Sequence, residues 1–229
     1  MAEETRQFRL WVMGCSHVGT DLRRDGRESL ATAIRQSEQG GDEGGPPFEW
    51  DIALHLGDLS GNQGSPDDEE GEEVVRQFAA ATRHRREHFY NIIGNHDASG
   101  PDEECQWWFR KWVDPEGIST EYSGVDAQRR PFAIDGTWER YHFRVGNIRI
   151  LMMSDRNDGG PPVGRAVRGG YPAGAVTGET FDWWQQHVES VAEDEIVITA
   201  HHHMLKETTV ASGPWEGFRK DEDGNWVSQ

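Results

Sequence analysis

Three apolar runs in the first hundred residues each stop at a glycine followed by polar side chains. FRLWVM, from Phe8, runs into GCSHVG. DIALHL, from Asp51, runs into GDLSGN. FYNII, from Phe89, runs into GNHDASG. Between them lie segments with helical spacing. RESLATAIRQSE, residues 27–38, puts Leu30, Ala33, Ile34 and Ser37 on one helical face. QGGDEGGPP, residues 39–47, is a turn-rich connection. SPDDEEGEE, residues 65–73, places acids where a helix macrodipole is positive, ahead of an apolar stripe through Val74, Val75, Phe78, Ala79 and Thr82. Arg83, Arg85 and Arg86 close that helix. The order is therefore β-α-β-α-β. Parallel strands require such crossovers, and open α/β sheets bind ligands beyond the carboxyl ends of their strands. The polar clusters stand at those ends.

The second half has a different pattern. PDEECQWWFRKWV, residues 101–113, reads as an amphipathic helix, and residues 117–136 read mostly as loop. Residues 138–155 read as two strands about a tight turn at Gly146-Asn147. NDGGPPVGRAVRGGYPAG, residues 157–174, is long enough to be a functional or mobile loop. A helix is expected over 177–192, with Phe181, Trp184, Val188 and Val191 on one side. A strand from Glu195 to Thr199 then leads into AHHHM. No firm periodicity follows, and there is no internal repeat.

The chain has 229 residues, enough for one large domain or two small ones and for a sizeable core. Ten tryptophans make an aromatic core plausible. The formal net charge of −18 favours solubility and argues against sequence-independent nucleic-acid binding, which runs on Lys and Arg. Two cysteines, Cys15 and Cys105, do not make a disulfide scaffold. No apolar run approaches the roughly 18 residues that cross a bilayer. MAEETRQFRL lacks the regions of a secretory signal, so a cytoplasmic protein is expected.

Polar strand ends are common singly, because Asn, Asp and Gly are turn formers. Here four coincide: Cys15 with His17, Asp58, Asn95 with His96 and Asp97, and His201, His202 and His203. Thiolate, imidazole, carboxylate and amide oxygen can all ligate a metal. The segments C-S-H at 15–17, G-D-L-S at 57–60, G-N-H-D at 94–97 and A-H-H-H at 200–203 resemble the motifs of the calcineurin-like metallophosphoesterases. The likeness extends to the hairpin at 141–155 and the helix at 178–188, and covers roughly residues 8–205.

The resemblance implies a four-layer α/β/β/α sandwich of the metallophosphoesterase type around two divalent metal ions, with Mn, Zn and Fe as candidates. It assigns Cys15 and His17 to the first metal, Asp58 to both, and Asn95 and His201 to the second, with His201 preferred to His202 because the family usually ligates with the first His after the strand. His96 is expected to face a small-molecule phosphate ester, mono- or diester, with Asp97 orienting its ring. Two cations stabilise the attacking and leaving oxygens of an in-line displacement and acidify a water between them. The hydroxide so formed would attack phosphorus.

Two features depart from that family's pattern. Cys15 stands where an Asp is usual. It either ligates as a thiolate, which would soften the site, or is a small buried residue at a strand end. No Gly-His-x-His follows His203, so the single domain is expected to be truncated, or completed by a second polypeptide that supplies the missing ligands. A catalytically decayed scaffold for a protein partner is the competing reading. A nuclease is a weaker one, disfavoured by the charge. His55 is expected to pack, and His84, His88, His142 and His187 to be surface or satisfied polar residues. The Trp107-Trp108 and Trp183-Trp184 pairs are expected in the core, and Cys105 to be inert. Arg156, Arg165 and Arg168 match phosphate in chemistry.

Overall fold

A computed structural model describes residues 7–24, 26–42, 44–61, 66–97, 107–154 and 176–203, together with the backbone of two further strands, Phe218–Lys220 and Trp226–Ser228. Strands β1 (Leu10–Met13), β2 (Ile52–His55) and β3 (Phe89–Asn91) form a parallel sheet in that order. Helices α1 (Val18–Asp21), α2 (Ser29–Gln39) and α3 (Asp68–Phe78) supply the crossovers. Asp67 caps α3 by accepting from the Glu70 amide, which ends the acidic lead-in as a helix start.

The second sheet runs β4 (Asp135–Gly136), β5 (Arg140–Val145), β6 (Ile148–Met153), β7 (Ile196–His201). β4, β5 and β6 are antiparallel neighbours, whereas β6 and β7 run parallel across α5 (Gly178–Glu189). The turn between β5 and β6 is the two residues Gly146 and Asn147, with Gly146 at φ 59°. The short strands β8 (Phe218–Lys220) and β9 (Trp226–Ser228) pair only with each other among the described residues.

Two apolar clusters define the layers. Ile52, Leu54, Tyr90 and Ile92 of the first sheet meet Tyr141, Phe143, Ile150, Met152 and Ala200 of the second. On the far side of the first sheet, Ala53, Phe89 and Ile93 pack against Val18, Leu30, Ile34, Val74 and Phe78 of the helices and against Trp108, Phe109 and Trp112. Alternate residues of β2 thus serve opposite faces, as the two-residue period of a strand requires, and a parallel sheet buried on both faces reads as a continuous apolar run. α5 lies against the second sheet, with Trp184 Nε1 donating to Thr199 Oγ1 at 3.0 Å and Arg149 donating to the His187 carbonyl at 3.0 Å. The layers are helix, sheet, sheet, helix, as expected.

Some local expectations change. The helix anticipated over 101–113 is described only from Trp107, and its Phe109–Val113 stretch is a π-helical turn. The loop at 117–136 holds a short helix α4 (Thr120–Ser123) and strand β4. The carboxylate of Asp114 organises this segment by accepting from the amides of Ile118 and Ser119 and from Ser123 Oγ. Trp107 is exposed while Trp108 is fully buried, because successive helical positions lie about 100° apart. Trp183 and Trp184 are half-buried, and Phe181 and Val188 are exposed. The anticipated apolar side of α5 is therefore not buried among the described residues. No described helix is long and apolar enough to cross a membrane. The segment 157–174, with Arg165 and Arg168, as well as Arg156 and Cys105, lies outside the described residues.

Candidate metal centre

The loops after β1, β2 and β3 lie side by side because their strands are parallel and in register. The first two loops continue as a zipper: Cys15 N donates to Gly57 O at 3.0 Å, His17 N to Asp58 O at 2.9 Å, and Val18 N to Leu59 O at 2.8 Å. The second and third touch backbone to backbone. A Cβ on Gly57, at φ 90°, would lie 2.4 Å from Gly94 N, and one on Gly94 would lie 2.4 Å from Asp58 Oδ1. Only glycine permits that approach.

Cys15, His17 and Asp58 all adopt left-handed backbone, at φ 55°, 48° and 60°. Residues of these types are held so only where the surroundings over-determine them, and such residues concentrate at functional sites. Asp97 does much of the holding. It is fully buried, its Oδ2 accepts from Asp58 N at 2.7 Å and Gly94 N at 2.9 Å, and its Oδ1 accepts from Ser60 N at 2.8 Å. Both carboxylate oxygens of Asp97 are thus engaged by backbone amides. Burial, and then the charge of Asp58, push its carboxyl up to about 7. Asp58 Oδ1 in turn accepts from His96 N at 2.7 Å, tying the second loop to the third.

Asp58 is the point of convergence. Its Oδ2 lies 3.8 Å from His17 Nε2, 3.9 Å from His96 Nε2 and 3.4 Å from His202 Nε2. His17 and His96 meet edge-on, with ring centroids 4.5 Å apart. The far nitrogens of two rings are pinned: His17 Nδ1 donates to Ser60 O at 3.2 Å and His202 Nδ1 donates to Leu56 O at 2.6 Å. A carbonyl only accepts, so each Nδ1 carries the hydrogen. In the neutral ring this turns the Nε2 lone pair towards a carboxylate, the orientation seen in metal-ligating histidines. His202 Nε2 also lies 3.0 Å from Asn95 Oδ1. Three acceptors around one imidazole exceed what a neutral ring can satisfy. A cation among these donors removes the conflict, so the residues present suit a metal.

Two sets of three residues bring their ligand atoms within 4.8 Å of one another: Cys15, Asp58 and His202, and His17, Asp58 and His96. Cys15 and His17 thus fall in different sets, which share Asp58. Cys15 is exposed, which removes the alternative of a small buried residue at a strand end. Partial burial of its sulfur, together with the charges of Asp58 and Asp97, raises the thiol pKa. A cation in contact would reverse that.

His201 does not join these sets; its Nδ1 faces His203 O at 3.1 Å. The reason is strand parity. Ile198 and Ala200 of β7 turn towards the first sheet, and His202 continues on that side while His201 does not. That signal was present in ITAHHH. Other groups left no such trace in the sequence. They are the carbonyls of Leu56 and Ser60, and the buried Glu70, whose Oε2 accepts from Ser60 Oγ at 2.6 Å. His84 and His55 both take the roles expected of them, one as a satisfied polar group and one packed inside. His84 is a satisfied polar group between Glu38 Oε1 and Trp50 O, both at 2.8 Å. His55 is fully buried and bonds Ser16 Oγ at 2.7 Å.

A comparison with curated proteins found no match. The family model described as calcineurin-like phosphoesterase matches residues 8–223, nearly the whole chain and all of the residues gathered around Asp58. The chain belongs to the calcineurin-like phosphoesterases, hydrolases of phosphate ester bonds.

Proposed function

We propose that this chain hydrolyses a small-molecule phosphate mono- or diester at a centre of two divalent cations bridged by Asp58. The observation that carries the reading is the convergence of His17 Nε2 and His202 Nε2 on Asp58 Oδ2, with both Nδ1 atoms committed to carbonyls. One cation is assigned to Cys15, Asp58, His202 and the amide oxygen of Asn95. The other is assigned to His17 and Asp58. Further ligands would come from a second polypeptide or from the substrate. The thiolate makes the first position softer and favours zinc or iron there over manganese.

Bound cations would neutralise phosphate charge and acidify the attacking water. The chain's own residues do the rest. Asp97 locks the amides of Asp58, Ser60 and Gly94, so the bridging carboxylate is preset. His96, anchored through its own amide on Asp58 Oδ1 and edge-on to His17, faces the leaving group and delivers its proton. Positioned proton transfer of this kind contributes about 10²–10⁴ in rate. A reducing compartment such as the cytoplasm suits the site, because it keeps Cys15 a thiol.

Hydrolysis of aryl phosphate mono- and diesters with added Mn²⁺, Zn²⁺ or Fe²⁺, beside a His96→Ala control, tests this reading. Metal-dependent turnover that collapses in the variant, at unchanged metal content, supports it. Absence of turnover with every metal would favour a non-catalytic scaffold. Loss of metal in His96→Ala would make His96 a ligand.

A further inference from the structure

His55 sits at the end of β2, in a run whose other residues, Ile52, Ala53 and Leu54, are buried apolar side chains. A polar ring in such a place costs free energy unless it makes a needed bond. Its Nε2 lies 2.7 Å from Ser16 Oγ, and among the described residues its buried Nδ1 has no hydrogen-bond partner. A buried N–H without an acceptor is rarer than an unfilled lone pair. The hydrogen therefore sits on Nε2 and is donated to Ser16. Burial holds the ring at a pKa of about 3, which keeps it neutral and the donation intact at neutral pH.

Ser16 is the middle residue between Cys15 and His17, the two left-handed positions of the first loop. Left-handed backbone in such residues is strained and persists only where the surroundings hold it. The backbone zipper holds the flanks, through Cys15 N to Gly57 O and His17 N to Asp58 O. The side chain of the middle residue is held by His55. Because Cys15 and His17 belong to the two different sets that share Asp58, rotation of this tripeptide would withdraw one donor from each.

We propose that His55, acting through Ser16, is a positioning residue that presets Cys15 Sγ and His17 Nε2 for the two cations. This rests on the two-cation reading above. The affinity and the geometry of metal binding report it directly, without turnover.

The test is a Co²⁺ titration of the full chain followed by visible absorption, with circular dichroism melting of the metal-free forms. Ser16→Ala removes the bond with little loss of packing. It should melt within a few degrees of the wild type yet bind Co²⁺ about 10–100-fold more weakly, the usual cost of losing a ligand-orienting partner. The thiolate-to-cobalt band should weaken with it. His55→Leu should behave likewise, and His55→Gln, which retains an N–H near the Nε2 position, should recover most of the affinity. Wild-type binding with Ser16→Ala unchanged within about twofold, and with the same spectrum, overturns the positioning role alone. Failure of the wild type to bind Co²⁺ overturns the two-cation reading and this inference with it.

Discussion

His202 and Asp58 follow strands of different sheets, yet His202 Nε2 lies 3.4 Å from Asp58 Oδ2. The contact crosses the cleft between the sheets, and the bond from His202 Nδ1 to Leu56 O fixes its direction. The sandwich is thus closed at this end by a ring that can serve a metal only while both sheets are in place.

That relationship separates two adjacent histidines. His202→Ala should remove a donor and lower both metal content and phosphoesterase activity by about 100-fold or more, beyond what loss of an outer partner usually costs. His201→Ala should retain both within a few-fold, since its Nδ1 faces His203 O. Metal analysis and aryl phosphate turnover of the two variants decide the matter; equal losses would remove the parity argument.

Cys15 should set the metal preference. Thiolate favours zinc and iron over manganese, and carboxylate narrows that gap. Cys15→Asp is expected to shift the ratio of Zn²⁺ to Mn²⁺ affinity towards Mn²⁺, with the protein otherwise folded. An unchanged ratio, measured by competition titration, would place the sulfur outside the coordination sphere.

Asp97 is a structural clamp by its hydrogen bonds. Asp97→Ala would strand the amides of Asp58, Ser60 and Gly94 in a buried place, where each unsatisfied group costs about 1–3 kcal/mol. The denaturation midpoint should fall markedly even without metal. A midpoint near that of the wild type would mean that water or backbone movement replaces the carboxylate.

Glu38 should govern part of the acid limb of stability. Its buried carboxylate is opposed by desolvation. That cost is outweighed by bonds from Thr82 N at 2.7 Å, His84 Nδ1 at 2.8 Å, Thr82 Oγ1 at 2.8 Å and Arg83 N at 3.0 Å, which hold the pKa at about 2. The folded pKa lies below the unfolded value of about 4.3. The stabilisation is therefore present above the unfolded pKa and is lost as pH falls through about 2. It is on the order of 3 kcal/mol by linkage. Glu38→Gln should flatten the stability profile between about pH 5 and pH 2, read from urea midpoints across that range. A profile as steep as the wild type's would assign the acid sensitivity to other carboxylates.

The first sheet was legible in the chain because each strand is a short apolar run, each crossover has a helical stripe, and each strand stops at glycine. The polar ends GCSH, GDLS and GNHD stand at one edge for the same reason. The hairpin about Gly146 was equally local. What the chain could not declare is how two sheets face each other. That packing brought His202 to Asp58, put Cys15 and His17 in different sets around it, committed Asp97 to three amides, and bonded His55 to Ser16. Periodicity is written residue by residue and depends on near neighbours. The direction of a side chain across a cleft depends on bonds between segments far apart in sequence, here Leu56 with His202, Ser60 with His17, and Asp58 with Asp97, which exist only once the layers have closed.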